Sequence, residues 1–400
     1  MAHNHASYSV SPRVGRWLAA LLAALVSVAL SHAGSDAATE ERALDPAGAG
    51  AQLRSMAAHY RELAKDWQPL SEGGTLQAGD RSERVVQLRR LLERYGDFRG
   101  LPGPLSAGNG DPLRFGSALQ RAVENFQRRH GLEANGIVGA ETLMALAVPP
   151  AERARQLELN AARWDKLSPP GKERYVLVNV PDYRLQLVED GAVTLSMKTV
   201  VGKTSSRTPT LRSRITNIVF NPTWTVPRSI LLTELLPKAR NNPEAMHRRG
   251  YRLVNYGGGD VFPISEDGLS RAAEGDATLR QVSGPGNSLG RVKFVIPNRQ
   301  AIFLHDTQAQ SLFGLRERAF SHGCIRLERP EELAYALLHR QGWDRTRIAQ
   351  ATTGDETLNI KVDRPPRLYI TYFTAWVDSA GRPHFRRDIY HHDTESGTAE

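Results

Sequence analysis

Two short segments carry the side chains best suited to chemistry, IFLHDT at 302–307 and SHGCIRLERP at 321–330. Cys324 is the only cysteine among the 400 residues, which excludes an intramolecular disulfide and a zinc site built from several thiolates. A free thiol, with a pKa of about 8.5, needs a base to act as a nucleophile at neutral pH. His305 and His322 are candidate bases. Composition alone leaves both an inert thiol and a nucleophile open.

The spacing of these residues separates their expected roles. On a strand, residues i and i+2 share a face, so the sequence predicts that His322 and Cys324 point to the same side. A facing strand can bring His305 opposite the thiol, which suits proton abstraction. Gly323 leaves room for a substrate carbonyl, and the N–H groups of Gly323 and Cys324 are candidates for an oxyanion hole.

In the segments that must position these residues, apolar and polar side chains alternate with a period of two residues. Beyond Pro169-Pro170, the segments RYVLVNV, YRLQLVED and TLSMKTVVG alternate as strands do, and further alternating segments continue to the C-terminal region. Residues 227–290 are mixed and Gly-rich, with one helix-like stretch. They are expected to form an insertion or lid on a β scaffold. Residues 376–400 are expected to be a C-terminal strand and a solvated tail that includes His391, His392 and Asp393.

Before Pro149-Pro150 the pattern is helical. Apolar residues at Val85, Leu88, Leu91 and Leu92 repeat at helical spacing, and turn residues separate them from two further helices. Residues 34–71 are expected to be a tether and a helix, residues 72–148 a helical domain, and residues 149–171 a linker helix.

The N-terminus has the pattern of a secretory signal. Arg13 and Arg16 precede the uncharged run Trp17 to Leu30, and small residues follow at positions suited to cleavage after Ala33. The run is short for a membrane span, although an uncleaved anchor stays open. The net charge of +9 favours an anionic partner. Since export makes nucleic acid an unsuitable partner, an anionic polymer of the cell envelope is expected.

Two sets of motifs resemble known families. The segments VVQLRRLLERYG and ALQRAVENFQRRHGLEANGIVGAETLMAL resemble the peptidoglycan-binding-like domain of cell-wall enzymes. The segment SHGCIR, preceded by a histidine at this distance, resembles the active-site signature of the murein L,D-transpeptidases with a YkuD-type catalytic domain. That resemblance extends over residues 172–375. It implies a multidomain α+β protein: a small all-α domain, then a mainly β, sandwich-like catalytic domain.

The resemblance also implies roles for the site residues. Cys324 would be the acyl-accepting nucleophile and His305 its base, with the backbone carbonyl of Asp306 orienting the imidazole. His322 and Gly323 would shape the oxyanion region. Neither a metal nor a cofactor is implied.

Two more residues are implied as substrate-binding. Arg326 would fix the loop or meet a substrate carboxylate, and Ser321 would lie beside it. Two positions depart from the family pattern: Glu328 stands where Asn is frequent, and Phe303 where Tyr is frequent.

The implied function is the formation of 3→3 peptidoglycan crosslinks through a cysteine thioester, with release of D-Ala from a tetrapeptide stem. The partners would be a donor stem and the amine of diaminopimelate on an acceptor stem, with carbapenem-type β-lactams as covalent inhibitors. The implied location is the periplasm of a Gram-negative envelope. Two alternatives stay open: a cysteine hydrolase of the wall, and a non-catalytic wall-binding scaffold.

Overall fold

A computed structural model of the protein describes residues 49–98, 111–167, 173–256, 259, 261–354 and 356–395. The α-helices are α1 (Ala49–Ala64), α2 (Glu83–Arg94), α3 (Ser117–Arg129), α4 (Ala140–Leu146), α5 (Pro150–Leu167), α6 (Arg228–Ile230), α7 (Leu236–Asn241), α8 (Pro243–Arg248), α9 (Glu266–Glu274), α10 (Pro330–Leu338), α11 (Arg345–Thr353) and α12 (His392–Glu395). The strands are β1 (Tyr175–Asn179), β2 (Arg184–Glu189), β3 (Ala192–Gly202), β4 (Leu211–Arg214), β5 (Asn217–Phe220), β6 (Trp224–Thr225), β7 (Tyr251–Asn255), β8 (Val261–Phe262), β9 (Ala277–Gln281), β10 (Val292–Val295), β11 (Leu304–His305), β12 (Ala319–Ser321), β13 (Ile325–Leu327), β14 (Leu358–Lys361), β15 (Arg367–Thr371), β16 (Ala375–Val377) and β17 (Pro383–Phe385).

The order of elements confirms the predicted fold class, a helical part followed by a mainly β part. The predicted signal segment, residues 1–33, lies outside the described residues. Within the part of the chain that the structure describes, no helix combines the length and the apolar character that a membrane span requires.

Helices α2, α3 and α4 form a small domain with a core of its own. Apolar residues three and four positions apart put Leu88 and Leu92 of α2 on one face, where they meet Leu119 and Phe126 of α3. Helix α1 belongs elsewhere. It packs against α5, and together these two helices cover aromatic residues of the β part, Phe373 among them.

The main sheet has the strand order β14-β5-β10-β11-β13-β3-β2-β1-β15-β4, with β12 paired to β3. Strands β4 and β5 are neighbours in the chain but lie at or near opposite ends of this order, so the sheet curls on itself. The core of the β part includes Leu304 and Ile325 of the central strands and Leu333 and Ile348 of α10 and α11. Of the candidate site residues, His305 lies on β11, Ser321 on β12 and Arg326 on β13. The others, Asp306, His322, Gly323 and Cys324, lie in loops that adjoin these strands.

Residues 227–290 form a separate layer. Strands β7, β8 and β9 pair with one another and with β6, and none of them pairs with the main sheet. A separate apolar core holds the layer together, including Leu231, Leu253 and Leu279. A π-helical turn, Leu231–Leu235, connects α6 to α7 and approaches the candidate site.

The C-terminal region is more ordered than the sequence predicted. Strands β16 and β17 form a hairpin, so the expected boundary at residue 375 falls inside a folded unit. The expectation of a solvated tail at His391–Asp393 is wrong for its last two residues. The His392 ring lies 4.5 Å from that of Tyr372, and Asp393 accepts hydrogen bonds from Arg163 and Thr374. The apolar period that identified the strands carries no information about such polar contacts.

Candidate active site

Three neighbouring strands align the basic side chains of the site. In the register of the sheet, Lys293 of β10 lies opposite His305 of β11, and His305 lies opposite Arg326 of β13. Paired residues on adjacent strands point to the same face, so these three side chains form a row. The intervening residues Leu304 and Ile325 point to the opposite face, where they are fully buried in the core.

The nucleophile loop connects β12 to β13 and is held by the hydroxyl of Ser321. This hydroxyl donates to the carbonyl of Cys324 at 2.5 Å and accepts the N–H of Gly323 at 3.1 Å. Thr208 Oγ1 donates to the carbonyl of Gly323 at 2.8 Å. Gly323 has φ +114°, in the region that favours glycine, and a Cβ there would lie 3.1 Å from the side chain of Ile302. The loop is therefore fixed before any substrate arrives.

This loop corrects two expectations. His322 and Cys324 do not share a strand, because β12 ends at Ser321 and β13 begins at Ile325. The N–H of Gly323 donates to Ser321, so of the two expected oxyanion donors only the Cys324 N–H has no acceptor among the described residues. Ser321 itself is buried, with 2% of its surface exposed, and it holds the loop where the sequence suggested substrate binding. The left-handed turn at Gly323, which strand alternation cannot anticipate, causes both differences.

His322 contacts the separate layer. Its Nε2 lies 2.5 Å from Oε1 of Glu234, which belongs to the π-helical turn. This hydrogen bond lowers the pKa of Glu234, and partial burial opposes the shift. The contact joins residues 227–290 to the loop that carries Cys324.

The Cys324 thiol is partly exposed and lies beside Phe303. Burial raises the pKa of the thiol, and the N–H of Phe303 and the positive charges of Lys293 and Arg326 oppose that shift. The sulfur lies 3.8 Å from the carbonyl oxygen of Ala301, which can accept the thiol hydrogen. The resting residue is therefore a thiol.

The imidazole of His305 is buried, with 5% of the residue exposed. Its pKa is lowered to about 3, first by burial and then by the charge of Arg326; the carbonyl groups of Asp306 and Leu289 oppose the shift, while Lys293 reinforces it. Nδ1 lies 2.5 Å from the carbonyl oxygen of Asp306. Because a carbonyl only accepts, Nδ1 carries the proton of the neutral ring, and Nε2 holds the lone pair that a base requires.

Asp306 therefore contacts the imidazole through its backbone. Its carboxylate accepts the N–H groups of Arg291 at 2.8 Å and Thr307 at 2.7 Å, and burial raises the pKa of this carboxyl group. Gly290, at φ +65°, packs so closely on the carboxylate that a Cβ there would lie 2.2 Å from Oδ2. The side chain thus fixes the strand end whose carbonyl orients His305.

Two residues near the thiol were not identified from the sequence. Lys293 extends over Phe303, with Nζ 4.2 Å from the ring centroid, and Glu234 contacts His322. A lysine between the core residues Val292 and Phe294 was a readable signal, since it must lie on the other face of the strand. The sequence carries no comparable signal for Glu234, because the position of this residue depends on a π-helical turn. Among the described residues, no three His, Cys, Asp or Glu side chains converge as a metal-ligand set.

The comparisons with known proteins match both parts of the chain. Residues 173–341 match the model of the YkuD family, described as "L,D-transpeptidase catalytic domain", and residues 81–146 match "Putative peptidoglycan binding domain". A Haemophilus influenzae protein named "Putative L,D-transpeptidase" is 35% identical over 248 residues, which are 62% of this chain and 50% of the relative. The chain thus spans about half the length of that relative.

Solved structures give more distant likenesses. The catalytic domain of an Enterococcus faecium L,D-transpeptidase acylated by ertapenem is 14% identical, with a TM-score of 0.24, over 51% of this chain and all of that domain. An L,D-transpeptidase of Xylanimonas cellulosilytica is 15% identical, with a TM-score of 0.22, over 76% of this chain and all of that one.

The family matches cover the segments on which the candidate site and the small helical domain stand. His305, Cys324 and Arg326 all lie inside the YkuD match. Residues 173–341 are therefore similar to the L,D-transpeptidase catalytic domain of the YkuD family, and they follow a segment, residues 81–146, that is similar to a peptidoglycan-binding domain.

Proposed function

We propose that this protein forms 3→3 crosslinks in peptidoglycan through a thioester on Cys324. The observation that carries the proposal is the neutral imidazole of His305, whose Nδ1 is held by the carbonyl of Asp306, on the strand paired with the one that follows Cys324. That arrangement leaves Nε2 with the lone pair of a general base, which is what acyl transfer by a cysteine requires.

In the first half-reaction, His305 takes the proton of Cys324 as the sulfur attacks the carbonyl of the third residue of a tetrapeptide stem. The N–H of Cys324 donates to the oxyanion, a contact worth about 10²–10³ in rate. The C–N bond then breaks, and His305 returns the proton to the amine of D-Ala, which leaves. The enzyme is now a neutral thioester.

In the second half-reaction, the amine of diaminopimelate on another stem attacks the thioester. His305 accepts the proton of that amine and returns it to the sulfur as the C–S bond breaks. The product is an amide crosslink, and the thiol is restored. The same residues would carry out hydrolysis with water in place of the amine, so the identity of the acceptor distinguishes a transpeptidase from a wall hydrolase.

The small helical domain supports a substrate in the wall. It is attached to the catalytic part through Arg129, which bonds to Asp97 within the domain and donates to the carbonyl of Pro383 in the β16–β17 hairpin at 2.5 Å. Arg386, which follows the hairpin, donates a hydrogen bond to the backbone carbonyl of Arg129 at 3.0 Å. Binding of glycan strands by this domain would hold stem peptides close to the site.

The experiment uses purified disaccharide tetrapeptide and mass spectrometry. We expect the wild-type protein to release D-Ala and to produce dimers, and Cys324→Ala to do neither. Shortened stems without dimers would indicate a cysteine hydrolase of the wall. Unchanged substrate would support the alternative of a non-catalytic wall-binding scaffold. A carbapenem should add one covalent adduct to the wild-type protein and none to Cys324→Ala; an adduct on the variant would contradict the nucleophile.

The location is part of the same proposal. The positive residues Arg13 and Arg16 and the apolar run that follows them support export to a Gram-negative periplasm. Fractionation of cells with an intact-mass measurement tests this: a periplasmic protein that begins at Gly34 is expected, a membrane-bound full-length chain would indicate an uncleaved anchor, and a cytoplasmic protein would contradict export.

A further inference from the structure

Two cations of the active site have no acidic partner among the described residues. Lys293 and Arg326 flank His305 on either side of the row, and neither makes an ion pair or a side-chain hydrogen bond within the described part of the chain. Nε of Arg326 is buried without an acceptor. Partly buried charged groups rarely lack a partner of opposite charge unless a bound ligand supplies one.

The position of Lys293 is specific. Its Nζ lies 4.2 Å from the centroid of the Phe303 ring, and the backbone N–H of Phe303 faces the thiol of Cys324. Burial lowers the pKa of Lys293, and Cys324 is the single described group whose negative form would raise it. A lysine that served only the fold would gain more from pairing with a carboxylate.

A count of charges over the reaction leaves two cations unbalanced. Because the proton of Cys324 passes to His305 and then to the leaving amine, Lys293 and Arg326 give the site a net charge of +2 before attack and again in the thioester. One carboxylate brought by the donor lowers this excess, and a carboxylate close to the scissile bond lowers it where the sulfur attacks.

We propose that Lys293, together with Arg326, binds the terminal carboxylate of the residue that leaves the donor stem, and that Lys293 thereby determines specificity for a free carboxylate at that position. This inference rests on the proposed function. The carboxylate of the leaving D-Ala is three bonds from the carbonyl carbon that the thiol attacks. The side-chain carboxylate of diaminopimelate is six bonds away, at the end of a flexible chain.

The test compares three synthetic donors: the tetrapeptide stem with a free terminal carboxylate, the same stem ending in D-alaninamide, and a stem amidated at the side-chain carboxyl of diaminopimelate. Release of the fourth residue gives kcat/KM for each. We expect the wild-type protein to prefer the free terminal carboxylate over the terminal amide by roughly 10- to 100-fold, the usual range for a hydrogen-bonded charge pair. Amidation of the side chain should change kcat/KM by less than about threefold. These wild-type ratios require no variant.

Lys293→Met retains the stem over Phe303 and removes the charge. Its loss of kcat/KM should be roughly 10- to 100-fold larger on the free carboxylate donor than on the terminal amide, and Lys293→Arg should recover most of that difference. The matched control is Lys361→Met on the exposed end of β14, which should change neither donor.

Equal losses on both donors would overturn the inference, since they would show that Lys293 acts on the thiol or on the fold. Discrimination by the wild type at the side-chain carboxyl would overturn it as well. If the wild type releases the fourth residue from none of the donors, the proposed function itself fails; if the wild type is active and Lys293→Met retains its preference for the acid, only the inference fails.

Discussion

Glu234 forms a hydrogen bond across two layers, with its Oε1 2.5 Å from Nε2 of His322. His322 is two residues before Cys324, and Glu234 belongs to a turn of the inserted layer. The layer that the sequence suggested as a lid is thus connected to the loop that carries the nucleophile.

Removal of this contact should loosen the layer. We expect Glu234→Ala to increase hydrogen exchange in residues 228–241 and to lower kcat/KM for the donor stem about 3- to 30-fold, because a hydrogen bond to a charged group contributes about 1.5–3 kcal/mol when buried and less at this partly exposed site. Glu244→Ala is the control, since Glu244 forms its ion pair, as far as the described residues show, with Arg248 inside the layer. Unchanged exchange and unchanged kinetics in Glu234→Ala would show that the layer is held by its apolar contacts alone.

The low pKa of His305 predicts an unusual pH profile. Because this pKa is about 3, the imidazole stays neutral and able to accept a proton over the whole range in which the protein is expected to fold. The rate of acylation by a carbapenem should therefore be nearly constant from about pH 5 to pH 7, without the inflection near 6.5 that an ordinary histidine gives. An acidic limb centred near pH 6.5 would contradict the neutral resting pair.

Ser321 should be more important for the loop than for substrate binding. Ser321→Ala removes the donor to the Cys324 carbonyl and the acceptor of the Gly323 N–H, at a cost of about 1–3 kcal/mol for groups left unpaired. We expect a lower Tm and a fall in kcat of about 10- to 100-fold, with KM changed by less than about threefold. A variant that raised KM alone would restore the substrate-binding role first expected for Ser321.

The sequence was most informative where one local pattern determines the structure. The alternation in RYVLVNV, YRLQLVED and TLSMKTVVG located β1, β2 and β3, and the helical period located α2. The carbonyl of Asp306 was identified because it is adjacent to His305 in the chain. The roles of Ser321 and Gly323 were not, since they depend on a left-handed turn at Gly323. The role of His322 was not either, since it depends on contact with Glu234, which is 88 residues away in the chain. Periodicity predicts which face is buried, but it does not predict such long-range polar contacts.

The attachment of the small helical domain depends on a buried ion pair. Arg129 and Asp97 have side chains that are 6% and 3% exposed, and Arg129 also holds the Pro383 carbonyl. Asp97→Asn would leave a buried guanidinium without its counter-charge, so we expect a loss of about 3–5 kcal/mol in the free energy of unfolding, measured in urea. The double variant Asp97→Leu with Arg129→Met should recover a large part of that loss. If the double variant is no more stable than Asp97→Asn, the contact with Pro383 contributes more than the ion pair does.

Three buried histidines predict how the stability of the protein depends on pH. Burial lowers the pKa of His130 well below 6.5, that of His305 to about 3 and that of His384 to about 4, so the folded state keeps all three neutral where the unfolded chain binds protons. The stabilisation from each is complete above pH 6.5 and is lost as the pH falls toward its folded value. Between pH 7.5 and pH 5.5, each should cost about 1.4 kcal/mol, or about 4 kcal/mol together.

The acids Asp97 and Asp306 act in the opposite direction, because burial raises their pKa values above 3.8 and the stabilisation from each is lost as the pH rises through its folded value. Urea unfolding at the two pH values measures the difference. His130→Phe preserves the stacking on Phe126, whose ring centroid is 3.8 Å away, and should reduce the pH-dependent loss by about a third. A difference between the two pH values that is the same in His130→Phe and in the wild type would mean that His130 binds its proton equally well in the folded and unfolded chains.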